Sequence, residues 1–259
     1  MTDSDPNAAL PKAVLVTGAG KRIGRTIALA LAHDGWRVAV HYNSSAVDAD
    51  AVVAEIAAGG GKAVALKADL AREAEVQALL PQAAAALGPI GLLVNNASLF
   101  DRDEARTVTR ASWDAHMETN LRAPFVLMQA LAAQLPAAAE GVVVNVLDER
   151  VQSLTPHFVS YTVSKAGLWT LTQTMALALA PRVRVVGIGP GPTLPSPRQS
   201  AAQFARQAEA MPLRRGANPD EVAAAVRFIL EARSMTGTIL MLDGGQHLAW
   251  SWSSAASQE

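Results

Sequence analysis

A doubly wound α/β fold, with a parallel seven-stranded sheet and helices on both faces, is predicted for this chain by three observations. Short β-branched runs alternate with long Ala/Leu-rich stretches, a glycine-rich turn joins the first strand to the first helix, and no linker, repeat or low-complexity stretch interrupts the 259 residues. Strands that are apolar on both faces belong in a sheet covered on both sides, and a helix after each one makes the sheet parallel. Half of the residues are hydrophobic, ample for one large core.

Residues 1–11, polar and containing Pro6 and Pro11, read as a disordered leader. A single domain is expected over 12–250, followed by a polar tail over 251–259. Val14 to Val16 is the first buried strand and Ile23 to Ala32 the first helix. Val38 to Val40 and Val47 to Ala58 repeat the pair. Further strands are read at Ala63 to Leu66, Leu92 to Val94, Val142 to Val146, Val183 to Ile188 and Leu240 to Leu242, with helical stretches at about 72–87, 112–137 and 157–180. The Pro/Gly-rich piece from Gly187 to Pro197 is the most loop-like interior segment. In a chain this compact such a loop is more often functional than a domain boundary.

The bulk numbers exclude several functions. A formal net charge of -1 gives no global field for nucleic acid or an anionic membrane. No apolar run is long enough to span a bilayer, and the polar, acidic start from Thr2 to Pro6 is not a signal peptide pattern. With no cysteine, disulfides, thiolate catalysis and Cys-ligated metal are all removed, which fits a reducing cytoplasm. No metal site is expected.

The first strand runs into Thr17-Gly18-Ala19-Gly20-Lys21-Arg22-Ile23-Gly24 and then a helix. Glycines at this turn let the backbone approach a diphosphate, while the helix N-terminus supplies N–H donors. Arg22 stands where many dinucleotide folds carry glycine, and reads either as a solvated first-turn residue or as a cation beside the adenosine ribose. The second strand ends His41-Tyr42-Asn43-Ser44-Ser45, with no acidic residue before Asp48 to take a ribose 2′-hydroxyl. A cation with nearby hydroxyls suits a 2′-phosphate, so NADPH is favoured over NADH. Asp69, after the third strand, is expected to accept from an adenine amino group or to cap a helix starting near Ala71. Asn95 and Asn96 can cross-link neighbouring loops at the fourth strand's end, and the small Ala97 leaves room for a flat ligand.

Tyr161 and Lys165 share one face of a helix at i and i+4. A nearby cation lowers a phenol's pKa toward the range of a working proton donor. Asp148, thirteen positions before Tyr161, follows the fifth strand and can face this helix. Asn120 reads as a buried amide that is satisfied locally, holds a water or kinks its helix.

In this order and spacing the Thr17–Gly24 turn, Asp69-Leu70, Asn95-Asn96-Ala97, Asn120, Tyr161 with Lys165, Gly189-Pro190-Gly191 and Asp243-Gly244-Gly245 resemble the short-chain dehydrogenase/reductase family from Lys12 to about Trp250. The resemblance implies a Rossmann-type sheet, with Tyr161 as proton donor. Lys165 would hold the nicotinamide ribose and lower the tyrosine pKa, and Asn120 would support a water-linked proton path. Pro190, Gly191 and Thr193 would contact the nicotinamide amide. The remaining cofactor contacts would come from Gly18, Lys21, Ile23, Gly24, His41, Tyr42, Asn43, Ser44, Asp69, Leu70, Asn95 and Ala97. A homotetramer is implied too, with helices near 103–135 and 157–180 packing across one interface and the Leu248–Trp252 end reaching a neighbour.

Two departures resemble a subgroup, the pteridine reductases and related dihydrofolate/dihydromonapterin reductases. Asp148 replaces the usual serine, and Arg22 occupies the glycine-rich turn; His41-Tyr42-x-x-Ser45 and Asn95-Asn96-Ala97-Ser98-x-Phe100 fit the same subgroup. By this resemblance Arg22 and Ser45 would bind the 2′-phosphate, Ser98 would approach cofactor or substrate, and Phe100 would sandwich a pterin against the nicotinamide. Asn43-Ser44 is less basic than the pair common there. A carboxylate repels the oxyanion of ketone reduction, whereas a pterin offers ring nitrogens that an Asp148–Tyr161 pair can protonate. The loop from Leu194 to about Gln207 reads as a substrate lid, with Leu194 against the substrate. The expected function is therefore an NADPH-dependent pterin or dihydrofolate reductase. The alternatives are a reductase of a carbonyl such as a 3-oxoacyl or sugar ketone, and a non-catalytic NADPH-binding sensor.

Overall fold

The computed structural model describes residues 10–196 and 198–248. Most of the expected leader, the expected tail over 251–259, and Trp250 and Trp252 lie outside the described residues. The chain alternates β1 (Ala13–Val16), α1 (Arg22–His33), β2 (Arg37–Tyr42), α2 (Ala46–Ala58), β3 (Ala63–Lys67), α3 (Glu73–Leu87) and β4 (Leu92–Asn95). It continues through α4 (Arg110–Met117), α5 (Ala123–Gln134), β5 (Gly141–Val146), α6 (Val159–Leu179), β6 (Val183–Pro190), α7 (Ala201–Glu209), α8 (Pro219–Glu231) and β7 (Ile239–Leu242). No helix among the described residues is long and apolar enough to cross a membrane.

All seven strands are parallel, in the order β3-β2-β1-β4-β5-β6-β7. Alternate residues on each strand feed different layers. Leu15, Leu93, Val143 and Val185 join a core with Leu79 of α3, Leu127 of α5 and Met175 of α6. Val14, Val38, Val94 and Val144 join Ile27 of α1, Val52 of α2 and Val226 of α8 on the opposite face. Both faces are therefore covered, which explains why the strands read as unbroken apolar runs.

Several elements depart from the sequence expectation. The stretch expected as one helix over 112–137 begins at Arg110, behind a reciprocal Thr109/Ser112 cap, and is broken by a π turn over Glu118–Arg122. The Ala123 N–H reaches Glu118 O, an i to i+5 bond that inserts one residue and re-aims Asn120 inward. α8 was not expected, although Asn218, Pro219 and Glu221 spell a capping box ahead of the buried Val222, Val226 and Ile229. The lid, expected as a loop, contains α7, started by a Ser200/Gln203 box. Asp69 does not cap a helix at Ala71, because α3 starts only at Glu73. Its carboxylate accepts the Ala71 N–H at 3.0 Å while its own N–H donates to Glu75 Oε2 at 2.7 Å.

Strand order reverses between β1 and β4, so the chain leaves these neighbours in opposite directions and a crevice opens beyond their carboxyl ends. Gly24 lets α1 close onto this edge, since a Cβ there would lie 2.3 Å from Gly18 O and 2.5 Å from Asn96 Nδ2. Gly24→Ala is expected to cost about 1–3 kcal/mol through overpacking, read as a lower denaturation midpoint. Gly59→Ala, whose nearest neighbour would be 3.5 Å away, should change it little.

Candidate active site

The turn after β1 is built by its neighbours. Gly18 has φ +63, and a Cβ on it would lie 3.0 Å from Ala97 Cα. Thr17 Oγ1 accepts the N–H groups of Asn96 at 2.9 Å and Ala97 at 3.0 Å, while Asn96 Nδ2 donates to Thr17 O at 2.9 Å. His41 is buried beneath. Its Nδ1 accepts the Gly18 N–H at 3.0 Å and its Nε2 donates to Ala68 O at 3.0 Å, so neither ring nitrogen is left for a ligand. Burial holds this imidazole below its ordinary pKa. His41, expected as a cofactor contact, is instead the brace of the turn.

Other predicted cofactor residues divide in the same way. Leu70 joins the core beside α3, and Tyr42 packs against the opposite one. Asn95 is buried and donates to Asn145 Oδ1 at 2.8 Å, and Asn145 donates in turn to Thr172 Oγ1 at 2.9 Å, so this pair stitches β4 to β5 and α6. Asn43 and Ser44 are exposed at the end of β2, and Ser45 stands before α2 without a side-chain capping bond. The structure does not bring Arg22 and Ser45 together. The cation beside the start of α2 is Lys21, 2.9 Å from Asp48. Arg22, with φ +53, turns the other way and donates to Pro195 O at 2.9 Å and Leu194 O at 3.2 Å. It thereby lines a cavity of about 240 Å³ that also holds Ile23, Ser98, Phe100, Asp148, Tyr161, Lys165 and the Pro190–Leu194 segment.

α1 opens on this cavity without a side-chain cap, and no acidic residue stands in its first turn. Its first amide groups are free of intrahelical acceptors, as at any helix start, and so face outward as donors for an anion. This donor set and the close backbone approach at Gly18 fit a dinucleotide diphosphate. At the far wall Gly191 is required because a Cβ would come within 2.8 Å of Asp243 Cα, and Thr193 Oγ1 donates to Gly191 O at 3.0 Å.

The predicted chemical residues converge. The Tyr161 hydroxyl donates to Asp148 Oδ2 at 2.6 Å. Asp148 Oδ1 accepts the Arg150 N–H at 2.9 Å, and the Arg150 guanidinium lies 3.2 Å from Oδ2. Lys165, fully enclosed, donates to Val146 O at 2.8 Å. Here one expectation is corrected. The phenol is pushed well above its ordinary pKa, first by burial and then by the Asp148 carboxylate, with Arg150 pulling the other way. The Lys165 ammonium, aimed at Val146 O, does not reverse this. Burial also lowers Lys165 from 10.5 to about 8, against the attraction of Asp148.

Asn120 is buried in the π turn with its amide fully committed. Oδ1 accepts from Leu99 N at 2.8 Å and Ser98 Oγ at 3.3 Å, and Nδ2 donates to Leu99 O at 2.9 Å and Ser164 Oγ at 3.1 Å. The side-chain amide therefore splints the loop after β4 to α6. Phe100 lies on that loop, stacked on Phe158 with ring centroids 4.6 Å apart and 3° between planes, and meets the edge of Tyr161 at 4.7 Å. Sequence reasoning missed Arg150 and Phe158. Arg150 lies over both phenyl rings, at 5.4 and 5.3 Å, and its position two residues after Asp148 was the available signal. The lid is tied on this side by Arg198, 3.1 Å from Asp101. Among the described residues no cluster of His, Cys, Asp or Glu could hold a metal.

A family model described as short chain dehydrogenase matches residues 12–205. The 3-oxoacyl-[acyl-carrier-protein] reductase FabG of Staphylococcus epidermidis is 31% identical over 242 residues, covering 92% of this chain and 99% of that protein. A solved structure of FolM alternative dihydrofolate reductase 1 from Brucella suis, in complex with NADP, is 46% identical with a TM-score of 0.90, covering 95% of this chain and 97% of that one. A short chain dehydrogenase from Burkholderia cenocepacia, also with NADP, is 36% identical with a TM-score of 0.86, covering 94% and 100% respectively.

Lys165 gives the site a pH signature. Below about pH 8 folded and unfolded chains both carry its proton, and the fold bears the full cost of burying the ammonium. Between about 8 and 10.5 only the unfolded chain binds it, so the stability contribution rises with pH across that window. Stability of the wild type relative to Lys165→Met should therefore climb over this range, by at most about 3 kcal/mol, in denaturant titrations at successive pH values.

Proposed function

The chain belongs to the short chain dehydrogenase family, and from that premise we propose that it is an NADPH-dependent reductase acting on a pterin or dihydrofolate-type substrate. NADPH, when bound, supplies the hydride. Gly18, Gly24 and the amides opening α1 would hold its diphosphate. Lys21, Ser44 and Ser45 beside the start of α2 would meet its 2′-phosphate, and Pro190 to Thr193 its nicotinamide end. Lys165 would turn from Val146 O to the adjacent ribose.

The observation that carries the substrate class is the 2.6 Å hydrogen bond from Tyr161 to Asp148. A carboxylate in this place repels the oxyanion formed when a ketone is reduced, and it puts no second hydroxyl beside that of Tyr161 to hold the carbonyl oxygen. It suits instead a substrate that receives a proton on a ring nitrogen. Tyr161 keeps its proton in the resting site because burial and Asp148 hold its pKa high. It can pass that proton to a basic nitrogen placed against its oxygen, and Asp148 can steer the phenol and shuttle the replacement. Phe100 adds a flat apolar ring at the cavity wall, worth about 0.5–1.5 kcal/mol in stacking beyond burial. The higher identity to a dihydrofolate reductase than to 3-oxoacyl reductases supports the same reading.

The names of those 3-oxoacyl relatives favour a second reading, reduction of an acyl ketone. A non-catalytic sensor has no need of the enclosed Tyr161, Asp148 and Lys165 cluster. NADPH oxidation, followed spectrophotometrically with dihydrobiopterin, dihydrofolate and a 3-oxoacyl thioester, separates these readings. Pterin turnover confined to NADPH is expected, with Tyr161→Phe lowering kcat by about 10²–10⁴. Turnover of the thioester alone would sink the pterin assignment, and none at all would favour the sensor.

A cytoplasmic homotetramer completes the proposal. An apolar groove lined by Met117, Leu121, Phe125, Gly167 and Leu171 runs between the π turn, α5 and α6, and Leu177 of α6 is 84% exposed beside it in sequence. Such a face favours burial against a second copy. Size-exclusion chromatography with light scattering should give the mass of four 27.1 kDa chains. Thr170→Arg, an exposed change in the groove, should yield smaller species with the fold intact.

A further inference from the structure

Resting on the proposed stacking of a flat heterocycle on Phe100, we propose that a buried Asp103–Ser160–His116 network positions the Phe100 ring against Tyr161 and so sets how tightly the substrate is held. None of the three residues lines the cavity, yet Ser160 and His116 are fully buried and Asp103 is 5% exposed. They come from three places: the loop carrying Phe100, α4, and the turn of α6 that carries Tyr161.

The hydrogen bonds run in one direction. The Asp101 N–H donates to His116 Nε2 at 3.2 Å, which leaves the proton of the neutral ring on Nδ1. Nδ1 faces Ser160 Oγ at 2.7 Å and Ser112 O at 3.0 Å, and the latter can only accept. The Ser160 hydroxyl donates in turn to Asp103 Oδ2. Asp103 Oδ1 accepts the Ser160 N–H at 3.1 Å, and Ser112 Oγ donates to Oδ2 at 3.4 Å. This is not a nucleophile's arrangement, because Ser160 Oγ is shared between its two partners and no substrate can reach it.

The network instead clamps the loop on both sides of Phe100. Leu99 is held by Asn120, Asp101 by His116 and Asp103 by Ser160. Phe158, two residues before Ser160, has φ +55 and takes the Phe100 ring face to face. Ring and phenol are thereby tied together through Ser160, next in sequence to Tyr161, alongside the Phe158 stack. The Tyr161–Asp148 bond does not run through this loop. Loosening the clamp therefore weakens substrate binding and spares proton transfer.

A double-mutant cycle tests the idea. Ser160→Ala should raise KM for the pterin about threefold to tenfold, the scale of a lost aromatic contact, with kcat and the Kd for NADPH unchanged. Phe100→Leu should raise KM at least as much. The double variant should be no worse than Phe100→Leu alone, because both changes remove one interaction. Multiplying effects, or a fall in kcat or in NADPH affinity for Ser160→Ala, would overturn the proposal. If the wild type reduces no pterin, the proposed function itself fails. Hydrogen exchange of the free protein then decides about the network: Ser160→Ala should speed exchange of the Asp101 amide by at least about tenfold, and an unchanged rate overturns it.

Discussion

Everything in this molecule that resembles chemistry depends on one constraint, that seven parallel strands deliver their carboxyl ends to the same edge of the sheet. Thr17 follows β1, Asn96 follows β4, Asp148 follows β5, and Pro190 to Thr193 close β6. Because the strand order reverses between β1 and β4, the helices after these neighbours pack on opposite faces and leave the edge open. Side chains then cross the gap: Asn96 reaches the β1 turn, Asn95 reaches Asn145, and Lys165 reaches the last carbonyl of β5. An antiparallel pairing would have sent half of these groups to the other end of the molecule.

At that edge the electrostatics are set by burial more than by pairing. Lys165 is enclosed and loses much of its basicity, and Tyr161 is enclosed and holds its proton. Asp148 accepts the phenol's hydrogen bond, with Arg150 as its near countercharge. The result is a resting site in which the phenol stays protonated. The carboxylate fixes the direction of the hydroxyl at the same time, since a phenol bound to Oδ2 points its hydrogen along one line. Donor direction comes from this contact, and the high proton affinity from burial first and Asp148 second.

Position at the site is maintained by groups that never enter it. His41 uses both ring nitrogens under the glycine turn, Asn120 uses its whole amide beneath the Phe100 loop, and the Asp103–Ser160–His116 set ties that loop to α4 and α6. Unpaired, each of these buried polar groups would cost about 1–3 kcal/mol. Paired, each fixes a loop. The lid follows a different logic, with Arg22 and Arg198 holding it from opposite sides through exposed contacts. Such contacts are weak and exchangeable.

The sequence by itself determined the sheet, because runs such as Val14 to Val16 and Val142 to Val146 are apolar on both faces and only a covered parallel strand tolerates that. It also determined the position of the glycine turn, and the pairing of Tyr161 with Lys165, which local helical geometry places on one face. It carried a legible signal for α8 in Asn218-Pro219-x-Glu221 as well, lost among the neighbouring loop residues. Only the tertiary structure decided what each polar residue does. His41 and Asn95 stand where cofactor contacts were expected but are consumed internally, and Arg22 bonds to the lid rather than turning toward Ser45. The π turn, Arg150 over Phe100 and Phe158, and the high phenol pKa were hidden for the same reason. Apolar periodicity is a local property of the chain, but a polar group's partner, and the solvent it has lost, are set by segments 20 to 170 residues away.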